Sequence, residues 1–151
     1  MTKTVLFAHD ESTHASSALS WVFTYILKEH DKLVVSTVVP DAVEKEAAFS
    51  RIKTLIRVLA ESHNLHKVDY VVRIVIGDKP QVGNLICDLA REIQPSMLVL
   101  GSAGKTHIQG FLIGSVSQHC VAHATCPVIV ARLQESNIKT NPAEEATDDS
   151  L

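Results

Sequence analysis

The segment from residue 101 to residue 117 carries the residues of this chain that are best suited to bind an anion. Its first part, GSAGKT, is similar to the end of a Walker A phosphate loop, which requires another glycine at position 99. That position is valine and lies inside an apolar run, and the GxGxxG pattern of dinucleotide-binding loops is also missing, so neither loop is predicted. The spacing that remains is Gly101, two residues, Gly104, nine residues, and then Gly114 and Ser115.

This spacing places two anion-binding devices at the two ends of one loop. Gly101 and Gly104 allow a tight turn with exposed backbone N–H groups, and the missing Cβ atoms permit close approach of a phosphate. Residues 114–117, GSVS, begin a predicted helix whose first N–H groups are unpaired and whose dipole favours an anion. Lys105 adds a positive charge, and the two serine hydroxyls of GSVS can donate hydrogen bonds to phosphate oxygens.

The loop belongs to a chain in which strands and helices alternate. Apolar, strand-like runs cover residues 4–10, 32–40, 68–77, 97–101 and 127–132. Between them, apolar residues recur every three or four positions, which is typical of amphipathic helices. Ser12 is the predicted N-cap of the first helix and Asp78 that of the third. The alternation predicts right-handed crossovers and a parallel sheet covered on both faces, with ligands beyond the carboxyl ends of the strands.

The stretch from Gly101 to Arg132 resembles the signature of the ATP-binding branch of the universal stress proteins, G-x2-G-x9-G-[ST], and matches it at every fixed position. The order of the predicted elements agrees with that family over about residues 3–132. The resemblance implies an α/β fold with a single Rossmann-like domain. Its five-stranded parallel sheet would have the order 3-2-1-4-5, with four helices on two faces and ATP across the switch point between strands 1 and 4.

The resemblance also implies roles for individual residues. Asp10 would hydrogen-bond the ribose or adenine side of the nucleotide, and Val38 would meet the adenine through its backbone. Mg²⁺ would accompany the nucleotide, which could be ATP, ADP or AMP, and would be held mainly by phosphate oxygens and water. No catalytic residue and no protein ligand to a metal are predicted. The implied nucleotide-binding residues are Ala8, Asp10, Val38, Leu100, Gly101, Gly104, Lys105, Gly114, Ser115, Val116 and Ser117.

Two residues of this chain depart from the family pattern. Glu11 places a negative charge near the predicted pocket, and Ala103 stands where a basic residue or histidine is common. They favour the alternative of a nucleotide-free family member that acts in dimerisation or docking.

The last strand, Val128–Ala131, is the usual dimer edge of the family, so the resemblance implies a homodimer.

Length and charge indicate one domain followed by an acidic tail. The chain has 151 residues, of which 46% are hydrophobic and 21% charged, as expected for a globular protein. Residues 133–151 carry five acids and one base, a net charge of −4, whereas the whole chain carries −3, which leaves +1 for residues 1–132. We predict a nucleotide-binding domain over residues 1–132 and a solvated, disordered tail over residues 133–151.

The composition and the apolar pattern also indicate where the protein is located and which classes of partner it lacks. No apolar run approaches the roughly 18 residues that span a membrane, and the first residues do not form a secretory signal, so a cytoplasmic protein without membrane contact is predicted. Duplex nucleic acid would require a strong basic patch, which is missing. Cys87, Cys120 and Cys126 are odd in number and unpatterned, which predicts reduced, buried thiols.

The chemistry predicted for this chain is binding rather than efficient catalysis. Lys105 and His107 are the charged or titratable residues of the glycine loop, so an ATP-binding stress-response or regulatory module with at most slow hydrolysis is predicted. A second alternative is a small adenylate-handling transferase. His9 next to Asp10 is interpreted as a structural or nucleotide-contact pair. His119 and His123, near Cys120, are interpreted as an ordinary helix face rather than a zinc site.

Overall fold

A computed structural model describes residues 1–102 and 114–133, and it contains the alternating strands and helices that the sequence predicts. The strands are β1 Thr4–Ala8, β2 Lys32–Val39, β3 Asp69–Ile76, β4 Met97–Gly101 and β5 Val128–Ala131. The helices are α1 Thr13–Tyr25, α2 Ala42–Ser62, α3 Val82–Ile93 and α4 Ser115–His123. The first strand ends at Ala8, two residues before the predicted end, because Asp10 begins the turn into α1.

All neighbouring strands are parallel, and their order is β3-β2-β1-β4-β5, as predicted. The central strand β1 pairs with β2 on one side and with β4 on the other. Ala8, the last residue of β1, lies between Ser36 of β2 and Leu100 of β4. The carboxyl ends of these three strands therefore form one continuous edge of the sheet.

The helices cover the two faces of the sheet in pairs. Adjacent strand residues point to opposite faces, so Phe7 packs with residues of α1 and α2 while Leu6 packs with residues of α3 and α4. Both cores consist of apolar side chains, because strands buried on two faces need such side chains at successive positions. The prediction of four helices on two faces is confirmed within the described residues.

Helices α1 and α2 begin at side-chain caps, whereas α3 does not begin where the sequence predicts. Ser12 caps α1 by accepting a hydrogen bond from the N–H of Ala15 at 3.1 Å, as predicted. Asp41 caps α2 in the same way through the N–H of Glu44 at 3.0 Å. Asp78 was expected to cap α3, but it precedes a 3-10 turn at Lys79–Gln81, and α3 begins only at Val82. The proline at position 80 fits this tight first turn.

The amino-terminal edge of the sheet is held by a buried carboxylate that the sequence did not indicate. Asp31 accepts hydrogen bonds from the N–H groups of Lys3 at 3.0 Å and Lys28 at 2.8 Å, and it pairs with the Lys3 ammonium. Burial alone would raise the pKa of Asp31, but the hydrogen bonds from Lys3 and Lys28 outweigh burial and keep the pKa below its usual value. Asp31 therefore joins the start of β1 to the start of β2.

Asp31→Asn is expected to destabilise the protein at neutral pH, by about 2 kcal/mol, because one amide cannot accept all three hydrogen bonds. A lowered native pKa means that ionised Asp31 contributes stability above its unfolded-state pKa of about 3.9, and this contribution is lost as the pH falls through the native pKa. The difference between wild type and variant should therefore shrink below about pH 4. Urea unfolding at pH 7 and pH 3.5 measures it. The exposed Asp88→Asn should show little change at either pH, and an equal difference at both pH values would contradict the prediction.

Candidate functional site

At the carboxyl edge of the sheet the strand order reverses between the parallel strands β1 and β4. From β1 the chain passes through α1 on one face, whereas from β4 it passes to α4 on the other face. Gly101, at the end of β4, lies against α1, since an added Cβ would be 3.8 Å from the carbonyl oxygen of His14. Such a reversal leaves a crevice outside the strand ends, where ligands of open α/β sheets bind.

Two hydrogen bonds fix the start of α4 at this edge, and a third joins the end of β4 to β5. The hydroxyl of Ser117 donates to the carbonyl oxygen of Gly101 at 3.1 Å. The N–H of Gly114 donates to the carbonyl oxygen of Ser102 at 2.9 Å, and the N–H of Ser102 donates to that of Ala131 at 3.1 Å. Ser117 is buried, so its hydroxyl is a structural tie rather than a free donor. These bonds join Gly101 and Gly114 across the loop that separates them in sequence.

The first turn of α4 has no side-chain cap. Gly114 occupies the N-cap position and carries no side chain that could accept from the first N–H groups. The first backbone hydrogen bond of the helix is from Gln118 N–H to Gly114 at 3.0 Å, so the N–H groups of residues 115–117 have no acceptor within the described residues. Helices α1 and α2, by contrast, are capped by Ser12 and Asp41. This turn can therefore bind an anion through backbone donors and the positive end of the helix dipole.

The residues after β1 point in different directions. Asp10 is exposed, and its carboxylate accepts a hydrogen bond from the N–H of Ser12 at 3.0 Å. His9 is buried: its Nδ1 accepts from the N–H of Glu11 at 2.8 Å, and its Nε2 lies 3.2 Å from the hydroxyl of Ser16. Burial lowers the pKa of His9, against the opposing effect of Asp10 and Glu11. His9 thus supports the turn as a neutral ring, in agreement with the structural interpretation of this pair.

Glu11 does not leave its charge unpaired at the crevice. Its carboxylate forms two hydrogen bonds with the guanidinium of Arg51 on α2, at 2.7 Å and 3.1 Å. The hydrogen bonding that Arg51 donates to Glu11 raises the pKa of Arg51 above its usual value. The negative charge that Glu11 places near the predicted pocket is therefore paired with Arg51. Arg51 was missed because it lies 40 residues away, and no spacing rule in the sequence joins the two.

The predicted site residues that the structure describes lie along the carboxyl edge. Ala8 and Leu100 are register partners and are buried, Val38 lies near the end of β2, and Asp10 follows β1. In the first turn of α4, Ser115 is exposed and Val116 half-buried. Gly104 and Lys105, together with Ala103 and His107, lie outside the described residues. The structure thus brings one part of the predicted set together, namely Ala8, Asp10, Val38, Leu100, Gly101, Gly114, Ser115, Val116 and Ser117.

Close packing of α3 and α4 sets the position of α4. The side chain of His119 lies on Gly83 of α3, where an added Cβ would be only 2.8 Å from two ring atoms. His119 also stacks on His123, with ring centroids 4.3 Å apart. Because a Cβ at position 83 would overlap the ring of His119, Gly83 is needed for the close approach of α3 and α4. Over residues 1–102 and 114–133, no three or more His, Cys, Asp or Glu side chains are grouped so that they could hold a metal ion.

Gly83→Ala is expected to push α3 and α4 apart, because the new methyl group would overlap the Cβ and ring of His119. Overpacking of this kind costs about 1–3 kcal/mol, which exceeds the gain in helix propensity of about 1 kcal/mol. Thermal unfolding measures the loss. The double variant with His119→Ala should recover most of it, since the small side chain makes room. Equal melting temperatures for wild type and Gly83→Ala would show that the helices are not in contact here.

The three cysteines, in α3, in α4 and just before β5, contribute to the same apolar core. Cys87 and Cys120 are buried in the same apolar core, and Cys126 is half-buried against it. Burial raises the pKa of Cys120 to about 12 and also raises that of the other two thiols. They are free thiols that stay protonated at neutral pH and pack as small apolar groups.

A separate cleft of about 630 Å³ lies between α2 and β3. Tyr70 and Val72, from the first half of β3, form its floor, and Phe49, Lys53 and Arg57 of α2 are among the residues above them. The cleft does not include the residues at the carboxyl ends of β1 and β4. It is therefore distinct from the candidate site.

The fold and the carboxyl edge define a Rossmann-like α/β protein with its reversal point between β1 and β4. The sequence model of the universal stress protein family matches residues 1–132. The chain therefore belongs to the universal stress protein family, and the resemblance seen in the glycine spacing is confirmed.

A universal stress protein A family protein of Schizosaccharomyces pombe is similar to this chain. The two are 31% identical over 150 residues, an alignment that covers 91% of this chain and 48% of the relative. The chain thus spans about half of the length of this curated relative. No helix within residues 1–102 and 114–133 combines the length and apolar character that crossing a membrane requires.

Solved structures of family members share the fold. A universal stress protein family protein from Arabidopsis thaliana, determined with AMP bound, is 22% identical with a TM-score of 0.62, covering 93% of this chain and 99% of that chain. The universal stress protein from Archaeoglobus fulgidus in complex with dAMP is 18% identical with a TM-score of 0.57, covering 86% and 97%. These similarities confirm the architecture.

Proposed function

We propose that this chain binds an adenine nucleotide, with ATP as the expected ligand, across the carboxyl ends of β1 and β4. The observation that carries the proposal is the uncapped first turn of α4, which the bond from Ser117 to Gly101 holds at the reversal point. Its N–H groups, which have no acceptor in the described part of the chain, match the oxygens of a phosphate. The complexes of two structural neighbours with AMP and dAMP support the same class of ligand.

The remaining residues have roles that follow from their places along this edge. The phosphates would lie against Gly101, Gly114 and the N–H groups of residues 115–117, with Gly104 and Lys105 as further contacts. The ribose and base would lie toward Asp10 and Val38, beside Ala8 and Leu100. Since the described residues offer no cluster of metal ligands, Mg²⁺ would be held by phosphate oxygens and water.

Binding rather than turnover is the proposed activity. His9, a candidate base near the edge, is buried and engaged with Glu11 and Ser16, so it is not available to activate water. Phosphoryl transfer needs a group that positions the nucleophile and further positive charge on the phosphates. We therefore propose a regulatory stress-response module with at most slow ATP hydrolysis. Nucleotide would shift it between forms that a partner or the dimer interface distinguishes.

Assembly, domain bounds and location complete the proposal. Strand β5 is an edge strand of the sheet within the described residues, and a homodimer through Val128–Ala131 would cover its backbone groups. The nucleotide-binding unit would be residues 1–132, followed by the acidic segment 133–151. A cytoplasmic location is proposed with it.

Mass spectrometry of nucleotide that co-purifies with the protein, followed by calorimetric titration with Mg-ATP and AMP, tests the proposal. Bound ATP, and a dissociation constant in the micromolar range or below, is the expected result. No co-purifying nucleotide and no heat of binding with either ligand would overturn the proposal and favour the nucleotide-free docking member. Production of a transferred adenylate from labelled ATP would favour the transferase instead.

A further inference from the structure

The ion pair between Glu11 and Arg51 stands next to the proposed nucleotide site. Glu11 follows Asp10 directly and has a φ angle of 62°, in the left-handed region that a non-glycine residue rarely adopts. The N–H of Glu11 is bound to Nδ1 of His9, which fixes the backbone of the turn. The Glu11 side chain is 29% exposed and that of Arg51 is 53% exposed, so the pair lies at the surface. The fixed backbone of this turn therefore orients the Glu11 carboxylate toward the Arg51 guanidinium.

The order of the strands determines on which side of β1 the ion pair between Glu11 and Arg51 lies. Helix α2 packs on β2 and β3, which lie on one side of β1, whereas β4 and its connection to α4 lie on the other side. Because Arg51 belongs to α2, it draws the Glu11 carboxylate toward β2 and β3. The carboxylate is thereby turned away from Gly101 and the first turn of α4.

We propose that Arg51 is a positioning residue that holds the Glu11 carboxylate away from the phosphates of the bound nucleotide and neutralises its charge. The inference rests on the proposed nucleotide binding. Both hydrogen bonds are needed for it, because a planar guanidinium binds a carboxylate in one orientation and a lysine ammonium does not. Glu11 is then compatible with nucleotide binding, in spite of its departure from the family pattern.

The expected effect depends on the charge of the ligand. Without Arg51 the carboxylate is unpaired and free to turn toward the crevice, and electrostatic repulsion acts over about 8–10 Å at physiological salt. A triphosphate carries the most negative charge, a monophosphate less, and adenosine none. Affinity should therefore fall several-fold for ATP and about twofold for AMP, and remain unchanged for adenosine.

The test compares Arg51→Gln with a matched charge control in the full-length chain. Arg57→Gln removes the same charge from an exposed position of the same helix, where no ion pair occurs among the described residues. Calorimetric titrations with ATP, AMP and adenosine, each at 50 mM and 500 mM salt, measure the affinities. A double variant, Glu11→Gln with Arg51→Gln, removes the repelling charge as well. The double variant also distinguishes the effect of Glu11 on affinity from that of Glu44, whose carboxylate lies 3.9 Å from Arg51.

The expected result is a loss in Arg51→Gln that grows with the number of phosphates, fades at high salt and disappears in the double variant, with no loss in Arg57→Gln. Equal affinities for Arg51→Gln and Arg57→Gln would overturn the inference and leave nucleotide binding intact. A loss for adenosine as large as for ATP would also overturn it, since Arg51 would then act on the base or on the fold. Wild-type protein that binds none of the three ligands would overturn the proposed function and the inference together.

Discussion

Ser115→Asp is expected to lower the affinity for ATP at least about tenfold without loss of stability, because its carboxylate would occupy the place of the phosphate. Ser115 is exposed in the first turn of α4, beside the N–H groups that have no acceptor among the described residues. An acidic side chain at this position stabilises a helix by about 0.3–1 kcal/mol through its dipole. Binding and stability should therefore change in opposite directions, which a disrupted fold cannot produce. Calorimetry and thermal unfolding measure the two effects.

Two variants control this experiment. Ser62→Asp makes the same substitution at an exposed position at the end of α2, away from the carboxyl edge and from Arg51, and should leave the affinity for ATP unchanged. Ser115→Ala removes the hydroxyl without adding charge and should weaken binding much less than aspartate does. Wild-type affinity in Ser115→Asp would place the nucleotide elsewhere on the protein.

Phe7→Ala is expected to cause the largest loss of stability, about 3–5 kcal/mol, since it opens a cavity in the centre of the sheet. Phe7 is 0% exposed and lies on β1, where it packs in the core beneath α1 and α2. A loss of this size is a large part of the 5–15 kcal/mol that stabilises a typical domain. Urea unfolding followed by circular dichroism measures it.

Tyr25→Ala is the control for Phe7→Ala, because it also removes an aromatic ring but from a side chain that is 71% exposed. Its ring contacts Trp21 at the surface of α1, with centroids 5.9 Å apart, so a loss below about 1 kcal/mol is expected. Similar losses for the two variants would show that Phe7 is not the core residue that its position on β1 indicates.

The features that the sequence predicted are those with a local signal. Apolar runs mark strands buried on both faces, and the residue after such a run marks a turn, as for Ser12 before α1. The glycine spacing also marked the two ends of the loop, and the structure joins Gly114 to Ser102 by a hydrogen bond. In each case the chemistry depends on residues close in sequence or on a spacing particular to one family.

The features that were missed join residues far apart. Arg51 reaches Glu11 across 40 positions, and Asp31 binds Lys3 across 28. A charged residue on a helix has many possible partners in a folded chain, and only the packing of α2 on β2 and β3 selects one of them. The contact of Gly83 with His119 is missed for the same reason, because a glycine inside a helix has no side chain to mark its neighbour.

The uncapped start of α4 links ligand concentration to the rigidity of the protein. Helices α1 and α2 are completed by their own residues, whereas under the proposed function the first turn of α4 is completed by a phosphate from solution. A ligand present at a hundred times its dissociation constant adds about 2.7 kcal/mol to stability. Because His119 rests on Gly83, tightening α4 also tightens its contact with α3. The nucleotide supply around the protein would then determine how often this half of the molecule opens, and amide hydrogen exchange in α4 would slow as that supply rises.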